Sequence, residues 1–299
     1  MKRIGVIDFD TSHVFQFVSR LNHVGIAEDQ WVEGATVVVG CPGKSEIYPQ
    51  RIPEETEKIK KLGLELVSSP EDMLKYDLDA VFIESNSGLQ HLERAEFFLK
   101  HKLPLFVDKP FTCSSRDAER IFELADQAGV PVFSSSSLRY APEVVAFKAS
   151  NTANSPTLGC MTWGPASLDP KNPGLYHYGI HAVEMLFTIM GAGCESLSCT
   201  TTPQVDLVTG TWSGGRVASV RGIRPSSDYG FVSFVDGASK LQHVGTGNIY
   251  RELLKAIVGM LQTGKSPVPP QETLEIVRFI ELAAESAANH GALRHLKGA

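Results

Sequence analysis

DAVFIESNSGLQHLERAEFFLKHKLPLFVDKPFTCSSRDAERIFELADQAGVPVFSSSSLRYAP, residues 79–142, decides the architecture. Three short apolar runs, DAVFI, LPLFV and VPVF, are separated by stretches whose apolar residues recur at helical spacing. Strands that buried their two faces unequally would alternate apolar and polar residues. These do not, so both faces are covered, as happens when each strand returns through a helix to a parallel neighbour. SSRDAERIFELADQAG opens on Ser-Ser and closes on Gly129, which marks the ends of one such helix.

Working outward, RIGVI and ATVVV supply two earlier strands of the same kind, and SSPEDML carries Ser69 as an N-cap with Pro70 in the first turn. Beyond SSSSLRYAP the texture changes. A polar stretch, NTANSPT, leads to one helix, YGIHAVEMLFTIMG, and then to strand-like runs QVDLVTGTW, RVASVRGI, YGFVSFV and KLQHV. Two helices, NIYRELLKAIVGMLQTG and ETLEIVRFIELAAESAANHG, finish the chain, their apolar stripes expected against that sheet or the first domain. The expected fold is α/β: a Rossmann-like, doubly wound parallel sheet over residues 1–137, then an α+β domain over 138–299 with an open, mainly antiparallel sheet.

A length of 299 residues, 42% hydrophobic, accommodates two domains with cores of their own. The net charge of −6, without a block of Lys or Arg, argues against nucleic acid or an anionic membrane as partner and favours a small molecule. The start, MKRIGVIDFD, has only a brief apolar run interrupted by two acids, so a cytoplasmic protein is expected. Five cysteines without a C-x-x-C pair point to buried thiols rather than disulfides or a zinc site. Trp163 and Trp212 read as core or subunit-contact residues, and Ser134–Ser137 as a polar crossing between domains.

In a doubly wound sheet the turn after the first strand usually carries G-x-G-x-x-G, which lets a pyrophosphate approach the helix start. Here Asp8, Phe9, Asp10, Thr11, Ser12 and His13 fill that loop, so the glycines are missing and two carboxylates stand where phosphate is expected. Thr11, Ser12 and the backbone N–H groups near them remain suited to capping an anion. After the second strand no acid stands ready for a ribose 2′-hydroxyl, whereas Lys44 and Ser45 suit a 2′-phosphate, which leans the choice between NAD and NADP toward NADP.

The order of features in residues 79–142 resembles the glucose-fructose oxidoreductase, inositol dehydrogenase and rhizopine-catabolism (Gfo/Idh/MocA) family. The features are a strand and short polar loop (Ser85, Asn86, Ser87), His91 opening a helix, Asp108-Lys109-Pro110 closing a strand, then Arg139-Tyr140-Ala141-Pro142. HYGIHAVEMLFTIMG is similar to the family's Asp-x-x-x-His helix, with His181 matching its histidine. His177 stands where the family has aspartate, and Asp108 where it has glutamate. The resemblance implies an NAD(P)-dependent homo-oligomeric dehydrogenase acting on a polyol, sugar or cyclitol. It implies cofactor contacts from the first loop, Lys44, Ser45, Ser85, Asn86, His91 and Asp108. Lys109 would lie between nicotinamide and substrate, His181 and His177 would serve in catalysis, and Arg139, Tyr140, Tyr178 and His181 would line the substrate site.

The chemistry agrees with that implication. Moving a hydride off a secondary alcohol requires removal of the hydroxyl proton, which a lysine and a histidine can take or orient. Three other readings stand beside it. Asp108-Lys109 and Glu84 can be solvated strand ends, and His181 a core histidine. The chain can be a non-catalytic small-ligand binder, given the glycine-free loop. His177, His181 and Glu184, at i, i+4 and i+7, can form a metal site for hydrolysis or elimination.

Overall fold

The β-branched runs pair in the order their periodicity requires. In the computed structural model, which describes residues 1–150, 157–235 and 237–296, the chain divides into two compact units. The first comprises Met1–Thr112, Arg116–Ser135 and Tyr250–Pro270; the second comprises Cys113–Ser115, Ser136–Ile249 and Gln271–Ala299.

In the first unit, β1 (Lys2–Ile7), β2 (Ala35–Cys41), β3 (Ala80–Ile83), β4 (Leu105–Val107) and β5 (Val132–Phe133) form one sheet in the order β2-β1-β3-β4-β5, every pair parallel. The helices between them are α1 (His13–Leu21), α2 (Arg51–Lys61), the single turn α3 (Pro70–Met73), α4 (His91–Lys100) and α5 (Ser115–Ala128). The Ser69 side chain accepts the Asp72 N–H, so that cap is as read, but its helix is one turn long. α5 closes on Gly129 at φ 69°, a left-handed position that glycine adopts without a Cβ penalty. Because β2 and β3 flank β1, the chain reverses direction across the sheet at β1. The loops after β1 and β3 therefore part at the carboxyl edge, where doubly wound sheets bind ligands.

Under that edge lies an aromatic core. Phe17 of α1, Phe82 of β3, Phe106 of β4 and Phe133 of β5 are fully buried, with successive ring centroids 5.6–6.1 Å apart. Burial of each phenyl contributes on the order of 2–3 kcal/mol. Tyr250, near the start of the helix Ile249–Thr263, extends the cluster, its ring 6.2 Å from Phe17 and 5.1 Å from His13. This is why the segment from Tyr250 to Pro270 belongs with the first sheet, although a boundary at 137 assigns it to the second domain.

The second unit contains α6 (Pro142–Ser150), β6 (Thr157–Pro165), α7 (Ile180–Met190), β7 (Cys194–Thr201), β8 (Val205–Trp212), β9 (Arg216–Ile223), β10 (Tyr229–Val235) and β11 (Ala238–Val244). After α8 (Ile249–Thr263), whose body lies in the first unit, α9 (Pro270–Ala288) and β12 (Arg294–His295) complete the chain. The sheet order is β11-β10-β6-β9-β8-β7-β12, antiparallel except for the pair β6 and β9. Most of the polar stretch NTANSPT lies outside the described residues.

All eleven residues of α7 are buried, and the Thr162 hydroxyl of β6 donates to the Ala182 carbonyl at 2.8 Å. Phe187 of α7, Trp212 of β8 and Phe279 of α9 form the core beside it, with centroids 5.5 and 5.7 Å from Phe187. Trp212 is therefore a core residue. The opposite face of the sheet carries Val217, Phe234 and Leu241, all largely exposed, together with the half-buried Trp163 and Met161. Of the five thiols, Cys113 is only partly buried, unlike the others.

Candidate functional site

The β1–α1 loop retains the backbone of a glycine turn without the glycines. Asp8, in the place of the first glycine, has φ 69°, in the left-handed region that a non-glycine residue seldom occupies. Its N–H and that of Phe9 donate to the carbonyls of Cys41 and Pro42 at 2.9 Å, which ties the turn to the end of β2. The Asp8 carboxylate fills the space above Gly43, where a Cβ would collide with it. It accepts Ser85 Oγ at 2.8 Å and is gripped by the Arg94 guanidinium at 3.1 and 3.3 Å. Burial pushes the Asp8 carboxyl up, and Arg94 pulls it back.

Asp10, in the place of the second glycine, is equally buried. Its carboxylate accepts the Ser45 hydroxyl and, at 2.9 Å, the Asn86 N–H; the Asn86 side-chain amide donates to the Asp10 carbonyl at 2.6 Å. Burial raises its pKa as well, offset by those two donors. Both acids are thus satisfied within the protein. They do not meet the helix start as bare charges, which the sequence alone left open.

These contacts redistribute the expected cofactor residues. Phe9 is fully buried, and Ser45 Oγ serves Asp10 while accepting the N–H groups of Ile47 and Tyr48 at 3.2 and 3.0 Å. The Ser45 hydroxyl is therefore committed, and of the pair expected at a 2′-phosphate only Lys44 keeps its side-chain nitrogen for that purpose. His91 is fully buried, with Nδ1 2.9 Å from the Phe111 carbonyl and Nε2 2.9 Å from the Ser85 carbonyl. It holds two loops together instead of facing a cofactor. Thr11 Oγ1 accepts the His13 N–H at 3.2 Å, Ser12 is exposed, and α1 starts without a side-chain cap from Ser12. The first turn of α1 therefore remains a fit for an anionic group such as a pyrophosphate, beside a loop whose acids are hydrogen-bonded within the protein.

At the end of β4, Asp108 and Lys109 are buried, at 1% and 7% exposure, so the reading as a solvated turn is overturned. Asp108 Oδ2 lies 2.6 Å from His13 Nδ1, and Oδ1 accepts the Lys109 N–H at 2.7 Å. Burial raises the Asp108 carboxyl, but His13 and then Lys109 carry it below the usual carboxylate range. His13, in the place of the third glycine, is thereby turned toward β4 and stacks on Phe17.

Glu84, at the end of β3, is not a solvated strand end either. It is fully buried, and neither carboxylate oxygen has a hydrogen-bond partner. Burial first, and Asp108 second, push its carboxyl well above the ordinary value. Arg94 was not singled out in the sequence. The available signal was its position three residues after His91, on the helix that follows a loop flanked by acids.

The second unit holds the other candidates. His181 Nδ1 lies 2.7 Å from Ser136 Oγ, and its ring packs edge-on against Tyr229 at 5.8 Å. His177 precedes α7, at the end of a short 3-10 turn, so His177, His181 and Glu184 do not share one helical stripe. Glu184 is taken by Arg139, whose Nε and Nη2 donate to Oε2 at 3.0 and 2.7 Å, while Nη1 reaches Glu272 at 2.6 Å. The metal reading of this trio loses its carboxylate and its spacing. Arg139 is 5% exposed and bound to two acids, a brace within the unit and not the substrate ligand expected. Tyr178 packs edge-on against His177 and tilted beside His181, and Tyr140 is half-buried next to Arg139.

Residues 45–136 match the model of an oxidoreductase family with an NAD-binding Rossmann fold, Gfo/Idh/MocA. The match spans the polar loop, His91 and Asp108-Lys109-Pro110 on which the resemblance was drawn. No curated protein matches the chain in sequence. Among solved structures, it is similar over 98% of both chains to an oxidoreductase from Agrobacterium radiobacter in complex with NAD+, L-tartaric acid and magnesium, at 16% identity and TM-score 0.77. A myo-inositol dehydrogenase from Corynebacterium glutamicum aligns over the whole of both chains at 15% identity and TM-score 0.78. A putative NADPH-dependent oxidoreductase from Desulfitobacterium hafniense aligns over 98% of this chain and 97% of its own, at 12% identity and TM-score 0.79. At such identities the likeness establishes the fold. Among the described residues no helix is long and apolar enough to cross a membrane.

Proposed function

We infer that this chain belongs to the Gfo/Idh/MocA oxidoreductases and is an NAD(P)-dependent dehydrogenase or reductase acting on a polyol, sugar or cyclitol. One observation carries the reading: Lys109 emerges, buried and beside Asp108, from the carboxyl edge of a parallel sheet within the segment that matches the NAD-binding family. Bound dinucleotide would supply the hydride acceptor or donor. The first turn of α1, with Thr11 and Ser12, is assigned to its pyrophosphate, and Lys44 to its adenosine ribose side.

The protein's own part is proton handling. Lys109 is assigned to polarise the carbinol oxygen, held in place by its backbone bond to Asp108. His181 is assigned to exchange the hydroxyl proton, oriented through Nδ1 by Ser136. His177, Tyr178 and Tyr140 are assigned to the substrate side. The outward face with Trp163, Val217, Phe234 and Leu241 is assigned to subunit contact, because an apolar patch on an open sheet marks an interaction surface.

Thermal-shift titration with NAD, NADH, NADP and NADPH tests the cofactor, since binding to the native state alone stabilises it by about 2.7 kcal/mol at a hundredfold excess over Kd. A rise in Tm with at least one of the four is expected. Lys109→Ala should keep that rise and lower kcat by about 100-fold to 10,000-fold on whichever polyol or sugar a screen identifies. No rise with any of the four, in folded protein free of bound nucleotide, overturns the proposal.

A further inference from the structure

Acidic side chains gather at the carboxyl edge of the first sheet. Asp8, Asp10, Glu84 and Asp108 are all buried there. Arg94 answers Asp8, and Lys109 follows Asp108. His13 also lies against Asp108, its Nδ1 2.6 Å from Oδ2. Asp8, Asp10 and Asp108 each accept hydrogen bonds, whereas both oxygens of Glu84 are left with none. A carboxylate without partners in a fully buried position is strongly disfavoured, so Glu84 calls for a cation or a proton.

The surroundings of Glu84 have the composition of a metal site. His13, Glu84 and Asp108 each offer one ligand atom, and these three atoms lie within 4.8 Å of one another. Donors bonded at about 2.1 Å in tetrahedral geometry stand about 3.4 Å apart, so the group reaches bonding geometry with shifts of roughly half an ångström to one ångström per side chain. The three residues come from different strand ends of one sheet: the loop after β1, the end of β3 and the end of β4. They are thus set on the rigid part of the unit. His13 and Asp108 are already drawn together at 2.6 Å, a link that a cation between them would replace. One imidazole and two carboxylates suit zinc or manganese, while the nitrogen donor disfavours calcium and magnesium.

We propose that His13, Glu84 and Asp108 form a binding site for one divalent first-row transition ion, zinc or manganese. Three protein donors leave at least one coordination position for water or another oxygen ligand. The site shares Asp108 and the start of α1 with the proposed cofactor cleft, but its test uses no cofactor or substrate, so the two readings fail separately.

The full-length protein is treated with chelator, dialysed against micromolar zinc or manganese, and assayed for bound metal by mass spectrometry, with Tm followed in parallel. About one equivalent per chain and a raised Tm are expected for the wild type. Glu84→Gln, which keeps shape and removes charge, should weaken binding at least tenfold. Should that variant fail to fold by circular dichroism, His13→Gln, at the rim of the group, provides the same comparison. Absence of stoichiometric metal from the wild type overturns the site and leaves Glu84 neutralised by a proton. Equal binding by wild type and the folded variant also overturns it, because the ion is then held elsewhere.

Discussion

Replacing Arg139 by methionine separates a structural brace from a substrate ligand. Arg139 donates to Glu184 through two nitrogens and to Glu272 through a third, and its side chain and that of Glu184 are each 6% exposed, against 14% for Glu272. Glu272 can turn toward solvent when the guanidinium is lost. Glu184 cannot, and removing one partner of a buried pair costs about 3–5 kcal/mol because the other charge is stranded. At about 2–4 °C per kcal/mol, Arg139→Met should lower Tm by roughly 6–20 °C. The pH dependence gives the loss its signature. Burial already raises the Glu184 carboxyl, and Arg139 holds it down, so without the arginine the folded-state pKa rises further. A carboxyl with a raised folded pKa favours the native state only when protonated. The deficit of the variant should therefore be largest above neutrality and shrink as pH falls toward the unfolded glutamate value of about 4.3. Glu184→Gln added to Arg139→Met should recover much of the loss. Differential scanning calorimetry between pH 5 and 8 measures all three. A variant with unchanged Tm and a raised KM would refute the brace and return Arg139 to the substrate site.

Arg94→Met should destabilise the first unit by a similar mechanism, stranding Asp8, with a deficit that grows as pH rises through the raised Asp8 pKa; urea melts at pH 5 and 8 would show it, and equal deficits would count against it. Lys44→Ala should weaken NADPH binding more than NADH binding, because Ser45 is committed to Asp10 and leaves the lysine as the 2′-phosphate partner; calorimetric titration with both cofactors decides, and equal losses would remove that role. Phe234→Glu, a charge on the outward sheet face, should shift the protein to a smaller species in size-exclusion chromatography with light scattering. An unchanged mass would mean that this face is not the subunit contact.

The first sheet was legible because strands buried on both faces are spelled as uninterrupted apolar runs, and Phe82, Phe106 and Phe133 sit in three of them. Of the second sheet, β7 and the short β12 were not singled out, whereas β8 to β11 were legible as strand-like runs. The assignment of α8 was not, since an amphipathic helix states that it has a buried face without naming the sheet it covers; Tyr250 meets His13 and Phe17, residues more than two hundred positions away. The stripe of His177, His181 and Glu184 misled for a local reason. Spacing places residues on one face only if the helix runs through all of them, and α7 begins at Ile180.

The first loop shows how the same limit bears on function. Read locally, Asp8 and Asp10 oppose an anion, because nothing near them in sequence supplies a counter-charge. Their partners are Arg94 and Ser85 for one, Ser45 and Asn86 for the other, all brought in by the sheet order that places β2 and β3 on either side of β1. A glycine at position 8 would serve the left-handed turn without any partner. An aspartate needs the guanidinium as well, so Asp8 and Arg94 are expected to change together. Glu84 is the exception: no hydrogen bond reaches either of its oxygens while Asp8, Asp10 and Asp108 are all satisfied, so a cation or a proton must answer it, and metal binding by the wild type against Glu84→Gln decides which.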